Sequence, residues 1–305
     1  MIRSRGYKEG DYKKIIDFLR EIYKINKNQH CWLPSRWEYA EHLVNPLYIE
    51  RGYSSWEKFI RIWEARGEIV AVAHKEDTCN AFLQVRPDYR NLEEEMINWV
   101  EDNIYEVIET ETGEERKSVI WVNESDSYRK NLVADFGFEK GDTGCYLNMQ
   151  KLDEEYRPDL PEGYSIGGDQ ELNLLKRYNV IHKSFHPESE DLKKVPGHFL
   201  KMLEAPMYRP DLDIVIESKD GAFASSCIIW YDQVLKIGMF EPVGTHPDYL
   251  RRGLGREVII EGLRRLKELG AERAYVEAYG DKRYGFYKSA GFESQDIDYP
   301  FIKVK

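Results

Sequence analysis

Cysteine is scarce and scattered: Cys31, Cys79, Cys145 and Cys227 are the only four in 305 residues, and no two form a C-x-x-C pair. That spacing argues against a zinc site and a disulfide framework, so no metal is expected and a reducing setting is the simplest reading. Long apolar runs are missing too. None approaches the roughly 18 residues that suggest a membrane span. The opening MIRSRGYKEGDYKK lacks the apolar core of a signal peptide. Basic runs longer than a few residues are also absent, and the formal net charge is −11. A nucleic-acid binder usually shows a basic face. These absences lead to an expectation of a cytoplasmic globular protein with no membrane and no nucleic-acid partner. Net negative charge favours solubility, and it also attracts cationic substrates such as amines.

What is present is a duplicated pattern. "GYKEGD" (6–11) and "GYSIGGD" (163–169) each open a segment that continues with helical spacing. "VRPDYR" (85–90) and "THPDYL" (245–250) each end a β-rich stretch before a helix. "DFGFE" (135–139) and "SAGFE" (289–293) each close a short helix and begin a strand. Landmarks in the same order, offset by 157, 160 and 154 residues, indicate a tandem duplication. The charged, proline-containing KLDEEYRPDLP marks the junction. The expected division is a first domain at 1–152, a linker at 153–161 and a second domain at 162–305.

Periodicity fills in the elements. Residues 11–26 have helical spacing, and FIRIWEA, EIVAVAHKE and TCNAFLQVR alternate as three strands. Residues 91–109 read as helix, SVIWVNE as strand and 126–136 as helix. In the second half, LDIVIES and AFASSCIIWYD flank a KDG turn, and IGMFEPVGT leads into a helix stopped at Gly270. AYVEAY, a helix at 281–290 and an extended tail follow. The fold class expected is α/β, a mixed sheet layered with helices, occurring twice.

The chemistry concentrates in HPDYLRRGLGREVIIEGL (246–263). Two glycines stand where a helix begins, although glycine costs about 1 kcal/mol inside one. A helix N-terminus offers free N–H groups and a partial positive charge, which suits phosphates. A dinucleotide fingerprint fails, because its third glycine position is Val258. A P-loop fails as well, because Arg256 and Glu257 follow Gly255. The pyrophosphate of coenzyme A and a tight turn that needs glycine for its own geometry remain.

Residues 239–292 resemble the core of the GNAT N-acetyltransferase superfamily. The family's [QR]-x-x-G-x-[GA] turn is matched by LRRGLG (250–255), and its tyrosine four residues before "GF" by YKSAGF (287–292). The resemblance covers the second half, and the first half fits as a degenerate copy. It implies two tandem GNAT-like domains and an acetyl-CoA-dependent N-acetyltransferase acting on a primary amine of a small molecule by direct attack. An acyl-CoA-binding sensor without catalysis is the alternative, as is an acetyltransferase for a peptide or protein amine or an aminoglycoside. Two positions depart from the family: Leu250 stands at the [QR] position, and Gly280 stands where many members have Asn.

The resemblance also implies roles. Arg251, Arg252, Gly253, Leu254, Gly255 and Arg256 would hold the pyrophosphate. Val243, Gly244 and Thr245 would lie along the pantetheine arm, with Pro242 and Gly244 interrupting the ladder so that two strands splay. Tyr287 would be the general acid as well as a cofactor contact, with Tyr284 as the fallback. Glu241 would accept the amine's proton directly or through water, ahead of Asp248. N–H groups near Val243 and Gly244 would stabilise the oxyanion. His246 is read as structural. Candidate substrate residues are Trp32, Arg36 and Trp37 in the first half and His182, Phe185 and His186 in the second. The first half has Arg90, Asn91, Leu92 and three glutamates at its turn and Val133 at the tyrosine position, so it is not expected to bind coenzyme A. The sequence leaves a homodimer open.

Overall fold

The computed structural model describes residues 2–26, 32–110, 113–167 and 173–305. Cys31 and the Gly168–Asp169 end of the second "GY" landmark lie outside the described residues. The chain divides into two compact units: residues 1–147 with 295–305, and residues 148–294.

The first unit runs β1 (Ile2–Gly6), α1 (Asp11–Asn26), α2 (Pro34–Tyr39), a π-helical turn (Ala40–Val44) and α3 (Asn45–Glu50). It continues with β2 (Ile60–Ala65), β3 (Glu68–Lys75), β4 (Asn80–Val85), α4 (Glu93–Asn103), β5 (Glu106–Thr110) and β6 (Gly113–Asn123). Then come α5 (Ser127–Asp135), β7 (Glu139–Lys140) and β8 (Cys145–Lys151), whose later residues enter the second unit. β1 to β4 pair antiparallel in sequence order, and β4 pairs parallel with β6. Helix α1 buries Ile15, Ile16, Leu19 and Ile22, the positions its periodicity selects.

The second unit runs β9 (Tyr164–Gly167), α6 (Leu174–Phe185), α7 (Gly197–Met202), β10 (Asp213–Ser218), β11 (Phe223–Asp232) and β12 (Ile237–Thr245). It ends with α8 (Leu254–Glu268), β13 (Arg273–Tyr279), α9 (Asp281–Ser289) and the start of β14 (Glu293–Val304). Strands β9 to β12 pair antiparallel in order, and β12 pairs parallel with β13. Helix α8 buries Leu254, Val258, Ile259, Leu263 and Leu266 against this sheet. It stops where Gly270 takes φ +81° and the N–H of Ala271 reaches back to the Leu266 carbonyl. On α6, fully buried Arg177 pairs with Asp213 and donates to Ser226 Oγ at 3.0 Å, which fixes that helix on the strands.

Two expectations change. Helix was expected over 91–109, but α4 ends at Asn103, and Glu106–Thr110 is a strand paired with Gly113–Lys117 of β6. Val107, Ile108 and Thr110 are β-branched, and a strand suits them better than a last helical turn. The contiguous division 1–152, 153–161 and 162–305 also differs from the units found. β14 pairs antiparallel with β6 from Asp298↔Asn123 to Val304↔Lys117, so the last residues of the chain complete the first unit. In return, Asn148 opens the second unit, with its Nδ2 donating to the Val276 carbonyl at 3.2 Å.

Candidate functional site

The site of the second unit begins with an interrupted ladder. Along β11 and β12 the register passes from Cys227↔Val243 to Ile229↔Phe240, so Glu241 and Pro242 bulge out. Parallel pairing between β12 and β13 covers only Ile237–Met239 against Arg273–Tyr275. Beyond it the two strands part, as Pro242 and Gly244 led one to expect. A cavity of about 1050 Å³ opens at the parted ends. Val243, Gly244 and Thr245 line one bank, and Tyr279 and Gly280 the other.

The glycine turn closes the next side. Arg251 takes φ 61° and Gly253 φ 81°, both left-handed, and Gly253 is the N-cap of α8. A side chain at Gly253 would meet nothing within 4 Å, so glycine serves the backbone here and leaves the space in front of it open. Gly255 has a different reason. An added Cβ would lie 3.0 Å from Thr245 Oγ1 and 3.2 Å from Phe286 Cζ, so its bareness serves packing. Among the described residues, the N–H groups of residues 251–255 donate to no acceptor in the chain. Arg251 and Arg256 line the cavity, and Arg256 Nε also donates to the Ser289 carbonyl at 3.2 Å. Arg252 is not among the lining residues. Its guanidinium donates to Tyr164 Oη at 2.7 Å and the Asp248 carbonyl at 2.9 Å, which braces the turn from behind. Leu250 stands exposed at the rim.

Tyr287 and Tyr284 separate cleanly, because Tyr287 lines the cavity and Tyr284 does not. Burial and, second, the negative charge of Glu241 push the Tyr287 hydroxyl well above the usual tyrosine range. The group is therefore a protonated donor at neutral pH. Glu241 is half-buried and outside the lining, although its charge is felt at Tyr287. His246 accepts from the Asp248 N–H at 3.3 Å and caps the turn, a structural position.

Of the substrate candidates, Phe185 lines the cavity. His182 stacks on Tyr178 of α6 at a centroid distance of 5.8 Å, and His186, the C-cap of that helix, lies tilted against His182 at 5.2 Å, both outside that lining. Trp32, Arg36 and Trp37 are interior residues of the first unit. Both indoles pack on buried His74, at 4.3 and 4.9 Å, and Arg36 pairs with Glu76. A substrate role needs accessible surface, which these three do not offer. Ser184 lines the cavity and was not singled out from sequence. Its trace is Gly244, where an added Cβ would sit 2.3 Å from Ser184 Oγ.

The matching place in the first unit is filled. β4 and β6 also pair over only two positions, Asn80↔Val119 and Ala81↔Ile120. Arg129 of α5 donates Nη1 to the Leu83 carbonyl at 3.0 Å and Nε to Glu93 Oε2 at 2.7 Å. By the 160-residue offset, Leu83 corresponds to Val243 and Glu93 to Gly253. Glu93 is fully buried, and Arg90 binds both it and Asp126. Val133, at the tyrosine position, is core.

With this geometry established, sequence and structure comparisons converge. Residues 175–292 match the family model "Acetyltransferase (GNAT) family". The second unit is thus a GNAT-superfamily domain, from a family of acyl-transferring proteins that generally use acetyl-CoA. A GCN5-related N-acetyltransferase from Sphaerobacter thermophilus is similar over 99% of this chain and 95% of its own, at 15% identity and TM-score 0.68. A tandem GNAT protein from the clavulanic acid biosynthesis pathway is similar over 100% and 98%, at 10% identity and TM-score 0.63. The chain as a whole therefore has the tandem GNAT fold. None of the curated proteins matches it in sequence. Among the described residues no helix is long and apolar enough to cross a membrane, and no group of His, Cys, Asp and Glu could hold a metal ion.

Proposed function

We propose that the second unit transfers an acetyl group from acetyl-CoA to a primary amine of a small molecule, with cofactor and acceptor bound together. The observation that carries this reading is the run of unpartnered N–H groups at 251–255, in a turn whose Arg251, Gly253, Leu254 and Gly255 line a cavity that continues into the parted strands and reaches Tyr287. These residues fit the cofactor. The open space in front of Gly253, the charge at the head of α8 and the guanidinium groups of Arg251 and Arg256 suit a diphosphate. Backbone groups of Val243 and Thr245, freed from β13, suit an amide-bearing arm. Bound there, acetyl-CoA would supply an activated acyl group as a thioester.

The chain's own residues supply proton handling. An alkylamine with a pKa of about 10.4 must lose a proton before it is nucleophilic. Glu241 takes that proton, directly or through water, and the Tyr287 hydroxyl gives one to the departing sulfur. The first unit takes no part in cofactor binding, because Arg129 and Glu93 fill its counterpart groove.

Release of free thiol from acetyl-CoA across polyamines, amino acids, aminoglycosides and peptides tests this reading. Turnover is expected with a small amine. A melting-temperature rise with acetyl-CoA and no thiol from any acceptor would overturn catalysis and favour an acyl-CoA sensor, a reading that the position of Glu241 outside the lining supports.

A further inference from the structure

We infer that Lys282 and Arg283 form a second anion subsite of this cavity, which receives the 3′-phosphate on the ribose of coenzyme A. The inference rests on the cofactor reading above and adds which cofactor chemistry the chain selects.

Phe286 of α9 packs at the head of α8, with its ring against Gly255, so the face of α9 that carries Phe286 meets that end of α8. Lys282 and Arg283 precede Phe286 by four and three residues. Side chains at these spacings share a helix face. A rise of 1.5 Å per residue places Lys282 about 6 Å further along the helix axis than Phe286. Both side chains are exposed and both line the cavity. The subsite therefore stands about one helical turn beyond the diphosphate cradle, on the same face. A ribose that carries a 5′-diphosphate and a 3′-phosphate presents two anions a few bonds apart, which long cationic side chains can span.

Charge supports the assignment. The cavity lining holds Arg251, Arg256, Lys282 and Arg283 against one lining carboxylate, Asp281, among the described residues, and Arg256 also pairs with Glu257, outside the lining, at 2.6 Å. The whole chain carries −11, so this concentration of positive charge runs against the molecule's average. Neither Lys282 nor Arg283 is held in an ion pair among the described residues. Arg283 Nη1 donates to the Tyr279 carbonyl at 3.4 Å, a long bond that leaves most of the guanidinium available.

Titration calorimetry of the full chain with coenzyme A and with dephospho-coenzyme A, which lacks only the 3′-phosphate, is the test. The wild type is expected to bind coenzyme A about tenfold more tightly, with a gap that narrows as salt rises. The double variant Lys282→Ala/Arg283→Ala should bind the two compounds equally, at the wild-type affinity for dephospho-coenzyme A. The pair Lys282→Arg/Arg283→Lys should keep the gap. Both positions are exposed, so melting temperatures should stay unchanged. A preference that survives in the double variant, or a wild type that binds both compounds equally, overturns the subsite alone. A wild type that binds neither compound overturns the cofactor reading and the subsite with it.

Discussion

Tyr287 keeps its proton because burial and the nearby charge of Glu241 both disfavour a phenolate. Tyr287→Phe should therefore lower kcat about a hundredfold or more while acetyl-CoA affinity changes little, since the ring stays in place. Steady-state kinetics beside calorimetry checks this, and unaltered turnover removes Tyr287 from the mechanism. His74 is the opposite case. It is fully buried among Trp32, Trp37 and Phe82, and burial holds its pKa down at about 3. Its folded value lies below its unfolded one, so the stability that neutral His74 allows is complete above about pH 6.5 and is lost as pH falls towards 3. Glu41 runs the other way. Burial and Glu57 push it up to about 7, so acidification through that value favours its folded form. The readout is thus the gap between wild type and His74→Gln. In denaturant titrations the stability of the wild type relative to the variant should fall by roughly 2 kcal/mol between pH 7 and pH 5. A gap that does not change with pH would mean that His74 is not neutral in the fold.

At the scale of elements, the last strand matters most. Phe301 is buried in the core of the first unit and pairs with Ile120. Phe301→Ala should destabilise that unit by about 3 to 4 kcal/mol, whereas Val304→Ala, at an exposed position of the same strand, should cost little. Hydrogen exchange at the amides of β6 reads this directly, and equal protection in both variants would contradict the pairing. This strand also shows what the sequence could and could not reveal. Periodicity identified α1, α8 and the hairpin around Lys219–Gly221, because one buried face writes itself into spacing. It could not say which strand β14 pairs with, since alternation names a buried face and not a partner strand. It also ran α4 on into β5, because a short β-branched stretch after a helix is ambiguous until its partner strand is known. The turn at 250–255 was legible because backbone geometry restricts residue choice there. Ser184 was not, because a lining contact from another helix leaves no local pattern beyond the small Gly244. Trp32, Arg36 and Trp37 misled for a related reason: aromatic and charged residues close in sequence suit a binding surface and a buried polar core equally well.

At the scale of the molecule, duplication and divergence set how many cofactors one chain can hold. Both units keep the parted parallel strands, the feature that makes room for an arm between them. Only the second keeps the room free. In the first, Arg129 satisfies the Leu83 carbonyl that an entering amide would otherwise meet, and Glu93 neutralises Arg129 from the position that Gly253 occupies in the second. A ligand entering there would have to break a buried ion pair, and leaving one partner uncompensated costs about 3 to 5 kcal/mol. Titration with acetyl-CoA should therefore saturate at one molecule per chain. Gly253→Glu, which puts a carboxylate into the second unit's cradle as evolution has in the first, should bring the stoichiometry to zero. A stoichiometry of two in the wild type, with one remaining in Gly253→Glu, would show that the first unit opens its groove in solution and that the Arg129–Glu93 pair is a gate.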